Sequence, residues 1–193
     1  IIFSMQENTM VSGTAFIINS DGFILTNAHV VGSRKEMFVA IKGEEVSAKV
    51  VATDLVNDLA ILRTDLRNKK FLHFSRKDVE REDDISAIGF GFGKRYSSDV
   101  KATKGIVSAL SGVANNYSHF QTDAAIQVGN SGGPVINKSS TVVGVAVAKL
   151  NTEIAYKDSG TIAENVNFAI KVSTVKQFLD ANSITYELED DLK

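Results

Sequence analysis

The residue best placed to act as a nucleophile is Ser131, in the run QVGNSGGP at residues 127–134. Glycines beside the serine permit backbone angles that other residues avoid and let a substrate approach the main chain closely. A serine hydroxyl is a weak nucleophile at neutral pH, so it needs an adjacent base, usually a histidine oriented by a carboxylate. The run therefore predicts acyl transfer if the chain supplies both groups.

Two other interpretations of this run have to be weighed. The segment could be a plain flexible turn between strands, and its G-x-S-x-G pattern also occurs at the nucleophile of α/β-hydrolases. In that hydrolase fold the histidine follows the serine, whereas His29, His73 and His119 all precede Ser131. Chain order excludes the α/β-hydrolase interpretation and leaves the turn and the nucleophile open.

His29 is the candidate base because it follows a predicted hairpin, with a turn at 19–22 and a return strand at 23–26. The segment 27–32 is short, apolar and ended by glycine, which predicts one helical turn. A histidine at the end of a strand is rigidly mounted, as a base requires. A half-buried histidine without a catalytic role would fit the same pattern.

Asp58 is the candidate acid because it directly precedes the apolar strand predicted at 59–63. A carboxylate at this junction can be partly buried and hydrogen-bonded, as an acid that orients histidine must be. An ordinary cap at the start of a strand would look the same. Asp54 and Asp65 rank lower, since neither adjoins so apolar a strand.

The composition limits the class of protein. The chain has 193 residues, 44% of them hydrophobic, which suits one compact domain with a real core. A net charge of -2 gives no reason to expect nucleic acid binding, and without cysteine there are neither disulfides nor thiolate metal sites. No apolar run approaches the ~20 residues of a membrane span. Because the chain begins at Ile1, we expect a processed or truncated product.

Short strands at near-regular spacing and one convincing helix predict antiparallel β-barrels or a sandwich. A division near residues 92–98 would separate His29 and Asp58 from Ser131, so the three would meet in a cleft between two units. Ser173 is expected to cap the helix, and the tail from Glu187 is expected to be frayed. The strands predicted from the pattern are 12–18, 23–26, 37–41, 46–52, 59–63, 85–90, 104–110, 141–148 and 166–172.

With these residues in place, the sequence resembles trypsin-like serine peptidases of the HtrA/Deg type. The resemblance extends from residue 12 to about 180. It rests on the segments GTAFII at 13–18, LTNAHVV at 25–31, NDLAIL at 57–62, GIVS at 105–108, QTDAAI at 121–126, GNSGGP at 129–134 and NFAI at 167–170.

The resemblance implies a fold and a division of the chain. The fold would be all-β, with two antiparallel six-stranded β-barrels and a short C-terminal helix. A single protease domain would span 1–193. It would comprise an N-terminal barrel of about 1–95, a C-terminal barrel with the helix of about 96–183, and an acidic tail at 184–193.

The resemblance also implies a mechanism. Ser131 would be the nucleophile, His29 the base and Asp58 the acid that orients it, with no metal or cofactor. Gly129, Asn130 and Ser131 would form the oxyanion hole. Relatives usually carry Asn-Pro where this chain has Gln127 and Val128, which leaves the backbone entering that loop less fixed.

The expected substrate pocket is small and apolar. The position six before the serine, where enzymes selective for Arg or Lys carry an acid, is Ala125. With Ile126, Ala146 and Ala148 nearby, this predicts cleavage after Val, Ala, Ile or similar residues.

The implied function is an endopeptidase that cleaves unfolded or damaged polypeptides. The alternative is a latent or non-catalytic domain that keeps the fold and holds exposed apolar segments, as a chaperone-like module would. The family resemblance favours a periplasmic or otherwise extracytoplasmic location and a homotrimer, with Phe3 as the candidate aromatic contact. The PDZ domain of many HtrA proteins is absent from this sequence.

Overall fold

The computed structural model describes residues 1–6, 9–41, 43–67, 70–90, 99–148 and 165–189. Two α-helices, α1 (Ala28–Val31) and α2 (Val172–Ala181), and a 3₁₀ turn (Val113–Asn115) accompany the strands of this part of the chain. The strands are β1 (Ile2–Gln6), β2 (Thr9–Gly13), β3 (Phe16–Ile17), β4 (Phe23–Thr26), β5 (Glu36–Ile41), β6 (Glu44–Asp54), β7 (Leu59–Arg63), β8 (Phe74–Ser75), β9 (Asp84–Gly89), β10 (Lys101–Ala109), β11 (His119–Thr122), β12 (Pro134–Ile136), β13 (Val142–Val147), β14 (Asn167–Lys171) and β15 (Leu188–Glu189).

The strands form two sheets. The first has the order β2-β1-β5-β6-β7-β4-β3 and curls into a half-barrel. In the second, β12-β9-β10-β11-β14-β13 closes into a six-stranded barrel because β12 also pairs with β13. The prediction of an all-β fold with two barrels and a C-terminal helix is confirmed, with the first barrel open.

Strand β7 explains why one run of the sequence is apolar at every position. Leu59 and Ile61 pack into the core between the two sheets, while Ala60 and Leu62 face the interior of the half-barrel. A strand buried on both faces reads as a continuous apolar run rather than an alternating one. Asp58, immediately before β7, is therefore attached to the most deeply buried strand of its sheet.

A shared core joins the two halves. It contains residues from both sheets and from α2, and the Phe16 and Phe74 rings meet within it at 6.4 Å. Helix α2 packs against this core through Val175, Phe178 and Leu179, which are all buried. This continuous core holds the two sheets as one unit.

Several local predictions differ from the structure. The strand predicted at 12–18 is broken between β2 and β3, at Thr14, whose N–H donates to the Ser131 carbonyl at 2.9 Å. The predicted cap Ser173 lies inside the first turn of α2, because the helix begins at Val172. In the tail expected to be frayed, Leu188 and Glu189 form β15, which pairs in parallel with β8, and residues 190–193 lie outside the described part of the chain.

The division predicted near residues 92–98 lies outside the described residues. In the part of the chain that is described, no helix is both long and apolar enough to cross a membrane.

Candidate active site

His29 lies in the single turn α1, which follows β4 directly. Val30 and Val31 beside it are buried in the core of the half-barrel, and their packing fixes the position of the turn. Gly32 ends the turn with a φ of 61°, a conformation that glycine adopts without strain, and its N–H donates to the Ala28 carbonyl at 2.8 Å. The sequence prediction of one helical turn ended by glycine is confirmed.

Asp58 contacts His29 through both carboxylate oxygens. Its Oδ2 lies 2.6 Å from His29 Nδ1, and its Oδ1 accepts the His29 backbone N–H at 2.8 Å. Each side chain keeps 23% of its surface exposed, so the pair is half-buried at the edge of a cleft. A carboxylate on Nδ1 favours the tautomer with its proton on that nitrogen, which leaves Nε2 free to accept one.

The backbone of Asp58 is also held in place. Its φ of 56° is in the left-handed region, which is uncommon for a residue other than glycine. Its carbonyl accepts the Ala28 N–H at 3.1 Å and the Asn27 side-chain amide at 3.0 Å. Asn27 is fully buried and was not singled out by the sequence analysis; a polar residue inside an otherwise apolar run was its only signal.

Ser131 and His29 line one pocket of about 160 Å³, so the structure brings all three predicted residues together. The Ser131 hydroxyl accepts the Ala148 N–H at 3.2 Å. Among the described residues, no hydrogen bond joins this hydroxyl to His29. The serine is thus next to the base, with its oxygen turned toward the Ala148 backbone.

The loop before Ser131 leaves two amides available. The Asn130 N–H donates to the Gln127 carbonyl, and the Gly133 N–H donates to the Asn130 carbonyl, both at 2.9 Å. Within the described part of the chain, the amides of Gly129 and Ser131 have no acceptor. Of the three predicted oxyanion residues, Gly129 and Ser131 therefore present free donors, whereas the Asn130 amide is already engaged.

Two threonines tie this loop to the half-barrel that carries His29. The Thr14 N–H donates to the Ser131 carbonyl at 2.9 Å, and Thr26 Oγ1 donates to the Thr14 carbonyl at 2.7 Å. A Cβ on Gly132 would overlap Thr26 Oγ1, and the φ of Gly132 is 82°. Both threonines are buried, and the sequence analysis did not single out either one.

The family described as "Trypsin-like peptidase domain" matches residues 13–145. The chain belongs to this family.

Its relatives place it in the HtrA type. It is 35% identical over 184 residues to a probable periplasmic serine endoprotease, DegP-like, of Chlamydia muridarum, covering 91% of this chain and 34% of that protein. It is 32% identical over 189 residues to serine protease HTRA1A of Danio rerio, covering 93% of this chain and 36% of that protein. The chain thus spans about a third of the length of these relatives.

Solved structures agree with this assignment. The serine endoprotease from Yersinia pestis superposes with a TM-score of 0.75 at 28% identity, over 94% of this chain and 61% of that one. The HtrA-type protease AlgW with a tripeptide gives a TM-score of 0.76 at 29% identity, over 93% and 58%. The resemblance inferred from sequence motifs is confirmed, and the chain is a trypsin-like peptidase domain of the HtrA type.

The predicted substrate pocket of this HtrA-type domain is only partly visible at Ser131. Ala148 lines the pocket. Ile126 and Ala146 pack with Ala148 in the core of the closed barrel, and Ala125 is exposed. The pocket wall also includes Val11, Ser12 and Val128, which the sequence analysis did not name as pocket residues.

The other two histidines of the domain lie elsewhere. His119 is 6% exposed, and neither ring nitrogen has a hydrogen-bond partner in the described part of the chain. Burial lowers the pKa of His119, and the negative charge of Asp58 acts in the opposite direction. His73 lies between two carboxylates of the tail, with Glu189 at 3.0 Å and Glu187 at 3.4 Å.

Proposed function

We propose that this domain hydrolyses peptide bonds through an acyl-enzyme, with Ser131 as nucleophile, His29 as base and Asp58 as the residue that orients the base. The observation that carries the proposal is that His29, which makes two hydrogen bonds to the Asp58 carboxylate, lines the same pocket as Ser131. Three weak sequence signals separated by 29 and 73 positions would not meet in this way in an unrelated loop.

The chemistry follows from the positions of the groups. The Ser131 oxygen attacks a peptide carbonyl while His29 Nε2 takes the hydroxyl proton, and the new oxyanion is held by the amides of Gly129 and Ser131. Collapse of this intermediate breaks the C–N bond, and His29 returns the proton to the leaving amine. Water then attacks the acyl ester by the same route and restores the serine.

The proposed substrates are unfolded or damaged polypeptides, cleaved after small or aliphatic residues. The apolar wall formed by Val11, Val128 and Ala148 supports this, as does the absence of an acidic residue among those lining the described pocket. The names of the relatives support an extracytoplasmic location. A homotrimer follows from the resemblance, and Phe3 lies half-exposed against Phe38 at 6.0 Å.

The second candidate is a latent or binding domain. It is favoured by one observation: the Ser131 oxygen accepts the Ala148 N–H at 3.2 Å instead of bonding to His29. Without a hydrogen bond to His29, the Ser131 hydroxyl has no direct route for its proton to the base.

A fluorophosphonate probe separates the two candidates. An adduct that mass spectrometry locates on Ser131, and that is lost in Ser131→Ala, would support the peptidase. A wild-type protein that stays unlabelled would support the latent domain. A peptide library then tests specificity, and a preference for cleavage after Arg or Lys would contradict the small apolar pocket.

A further inference from the structure

Thr14 makes contacts that neither the triad nor the oxyanion hole explains. Its side chain is 3% exposed, and its Oγ1 donates to the Gly129 carbonyl at 2.7 Å while accepting the Phe90 N–H at 3.0 Å. Gly129 is 115 positions further along the chain. One hydroxyl of the half-barrel thus joins the serine loop of the closed barrel to the end of β9.

The peptide unit between Gly129 and Asn130 is fixed at both of its polar atoms. Its carbonyl accepts from Thr14 Oγ1, and its N–H donates to the Gln127 carbonyl at 2.9 Å. A peptide unit is planar, so holding both groups sets its orientation. That orientation constrains the adjoining Gly129 and Ser131 segments, which carry the two free amides.

Close packing around Thr14 limits other arrangements. A Cβ on Gly89 would come within 2.9 Å of Thr14 Oγ1 and 3.1 Å of Asn130 Cα, closer than ordinary contact. A Cβ on Gly133 would lie 3.1 Å from Thr14 Cγ2. Glycine at both positions lets β9, the serine loop and Thr14 approach one another directly.

We propose that Thr14 is a positioning residue for the oxyanion hole: its hydroxyl fixes the Gly129–Asn130 peptide so that the amides of Gly129 and Ser131 point toward the substrate carbonyl. The part concerning catalysis rests on the function proposed above. Gly129 has a φ of 98°, a region that glycine enters without strain. Because the glycine backbone does little to fix its own conformation, the hydrogen bond from Thr14 has a large share in fixing it.

The test replaces the hydroxyl and keeps the shape. Thr14→Val retains the branched side chain and the N–H that bonds to Ser131, but it can neither donate to Gly129 nor accept from Phe90. Thr14→Ser retains the hydroxyl. Thr64→Val is the matched control, because Thr64 is also buried, at 2% exposed, and its Oγ1 donates to the carbonyl of Gly22, at the turn before β4.

Hydrogen exchange of the Asn130 amide, followed by NMR, tests whether Thr14 fixes the Gly129–Asn130 peptide. This measurement does not require the domain to be active. We expect exchange to be about tenfold faster or more in Thr14→Val, and close to wild type in Thr14→Ser and Thr64→Val. Unchanged protection of Asn130 in Thr14→Val would overturn the proposal.

Peptide hydrolysis tests the catalytic consequence. We expect kcat to fall roughly 10–100-fold in Thr14→Val with KM nearly unchanged, because an oxyanion hole acts on the transition state. Thr14→Ser should restore most of kcat. Equal kcat in Thr14→Val and wild type would overturn the positioning role. Absence of activity in wild type would overturn the proposed function alone, while Asn130 exchange still decides whether Thr14 holds the loop.

Discussion

At the scale of single residues, the orientation of His29 depends on the several hydrogen bonds made by Asp58. The Asp58 side chain bonds to His29 twice, and its carbonyl bonds to the start of α1. Such a carboxylate both orients the imidazole and stabilises the imidazolium formed when the serine loses its proton.

We expect Asp58→Asn to lower kcat/KM by roughly 10³–10⁴. An amide that presents its NH₂ group to His29 Nδ1 would favour the wrong tautomer, leaving Nε2 protonated and unable to act as a base. Steady-state hydrolysis and the rate of fluorophosphonate labelling both measure the effect. Asp65→Asn is the control, because Asp65 is an exposed acid after β7. Equal losses in the two variants would mean that Asp58 is not the orienting acid.

His119 predicts a dependence of stability on pH. Burial lowers its pKa in the folded protein below the ordinary value of 6.5, so the unfolded chain binds the proton more readily. Above pH 6.5 the His119 ring is neutral in both the folded and the unfolded chain, and the free energy of unfolding keeps its full value. As the pH falls below 6.5, the unfolded chain takes up the proton first, so the free energy of unfolding decreases.

We therefore expect the wild type to lose more free energy of unfolding than His119→Phe between roughly pH 7.5 and 5. Neither ring nitrogen of His119 has a partner in the described part of the chain, so a phenyl ring removes no known hydrogen bond. Urea unfolding at the two pH values measures the difference. If both proteins lost the same free energy of unfolding between these pH values, His119 would not be the cause of the pH dependence.

At the scale of elements, short segments are stabilised by partners far away in the sequence. The first turn of α2 has no side-chain cap of its own. Asp78 serves instead: its carboxylate accepts the Ser173 N–H at 2.9 Å and the Ser173 hydroxyl at 2.6 Å. A negative charge at this end also interacts favourably with the helix dipole.

We expect Asp78→Ala to lower the free energy of unfolding by about 1 kcal/mol. Asp78→Asn should cost less, because an amide oxygen can still accept one of the two bonds. Urea denaturation measures both changes. Identical stabilities for wild type and Asp78→Ala would show that the helix does not depend on this cap.

The serine loop offers a test of close packing. Gly132→Ala places a Cβ onto Thr26 Oγ1 and the Thr14 carbonyl, so we expect a loss of about 3 kcal/mol or more and little labelling of Ser131. Gly43→Ala is the control, since Gly43 has a similar φ of 87° but open space around it. Only the backbone strain of about 1–2 kcal/mol is expected there. Similar losses in both variants would contradict the role of packing.

At the scale of the whole molecule, the proposed catalytic groups come from two units that meet in a shared core. His29 and Asp58 belong to the half-barrel, and Ser131 to the closed barrel. Packing of Phe16 against Phe74, together with the bond from Thr14 to Ser131, sets their separation. A rigid interface between the two units suits a site whose side chains must be aligned to within a fraction of an ångström.

The proposed trimer is also a property of the whole molecule. The Phe38 side chain is 46% exposed and stacks on Phe3, which forms an apolar patch on the outer face of β1 and β5. We expect light scattering to give three times the chain mass, and Phe38→Ser to shift the protein toward monomer. Tyr117→Ser, which alters an exposed aromatic residue elsewhere, should leave the mass unchanged. A wild-type monomer at all concentrations would contradict the trimer.

Local patterns were enough to predict the parts of the fold nearest the site. The strand expected at 23–26 is β4, and the turn after it is α1, because apolar periodicity and a terminal glycine are encoded within a few residues. Two of the three predicted triad residues, His29 and Ser131, also line one pocket, and the third, Asp58, is hydrogen-bonded to His29. The sequence by itself thus determined which groups could carry out the chemistry.

Only the tertiary structure decided how these groups are held. The bond from Thr14 to Gly129 spans 115 positions, and the cap from Asp78 to Ser173 spans 95. The engaged amide of Asn130 and the exposed position of Ala125 likewise depend on how the loops pack. No local pattern encodes such contacts, because they exist only after the two sheets have buried their common core and brought distant segments together.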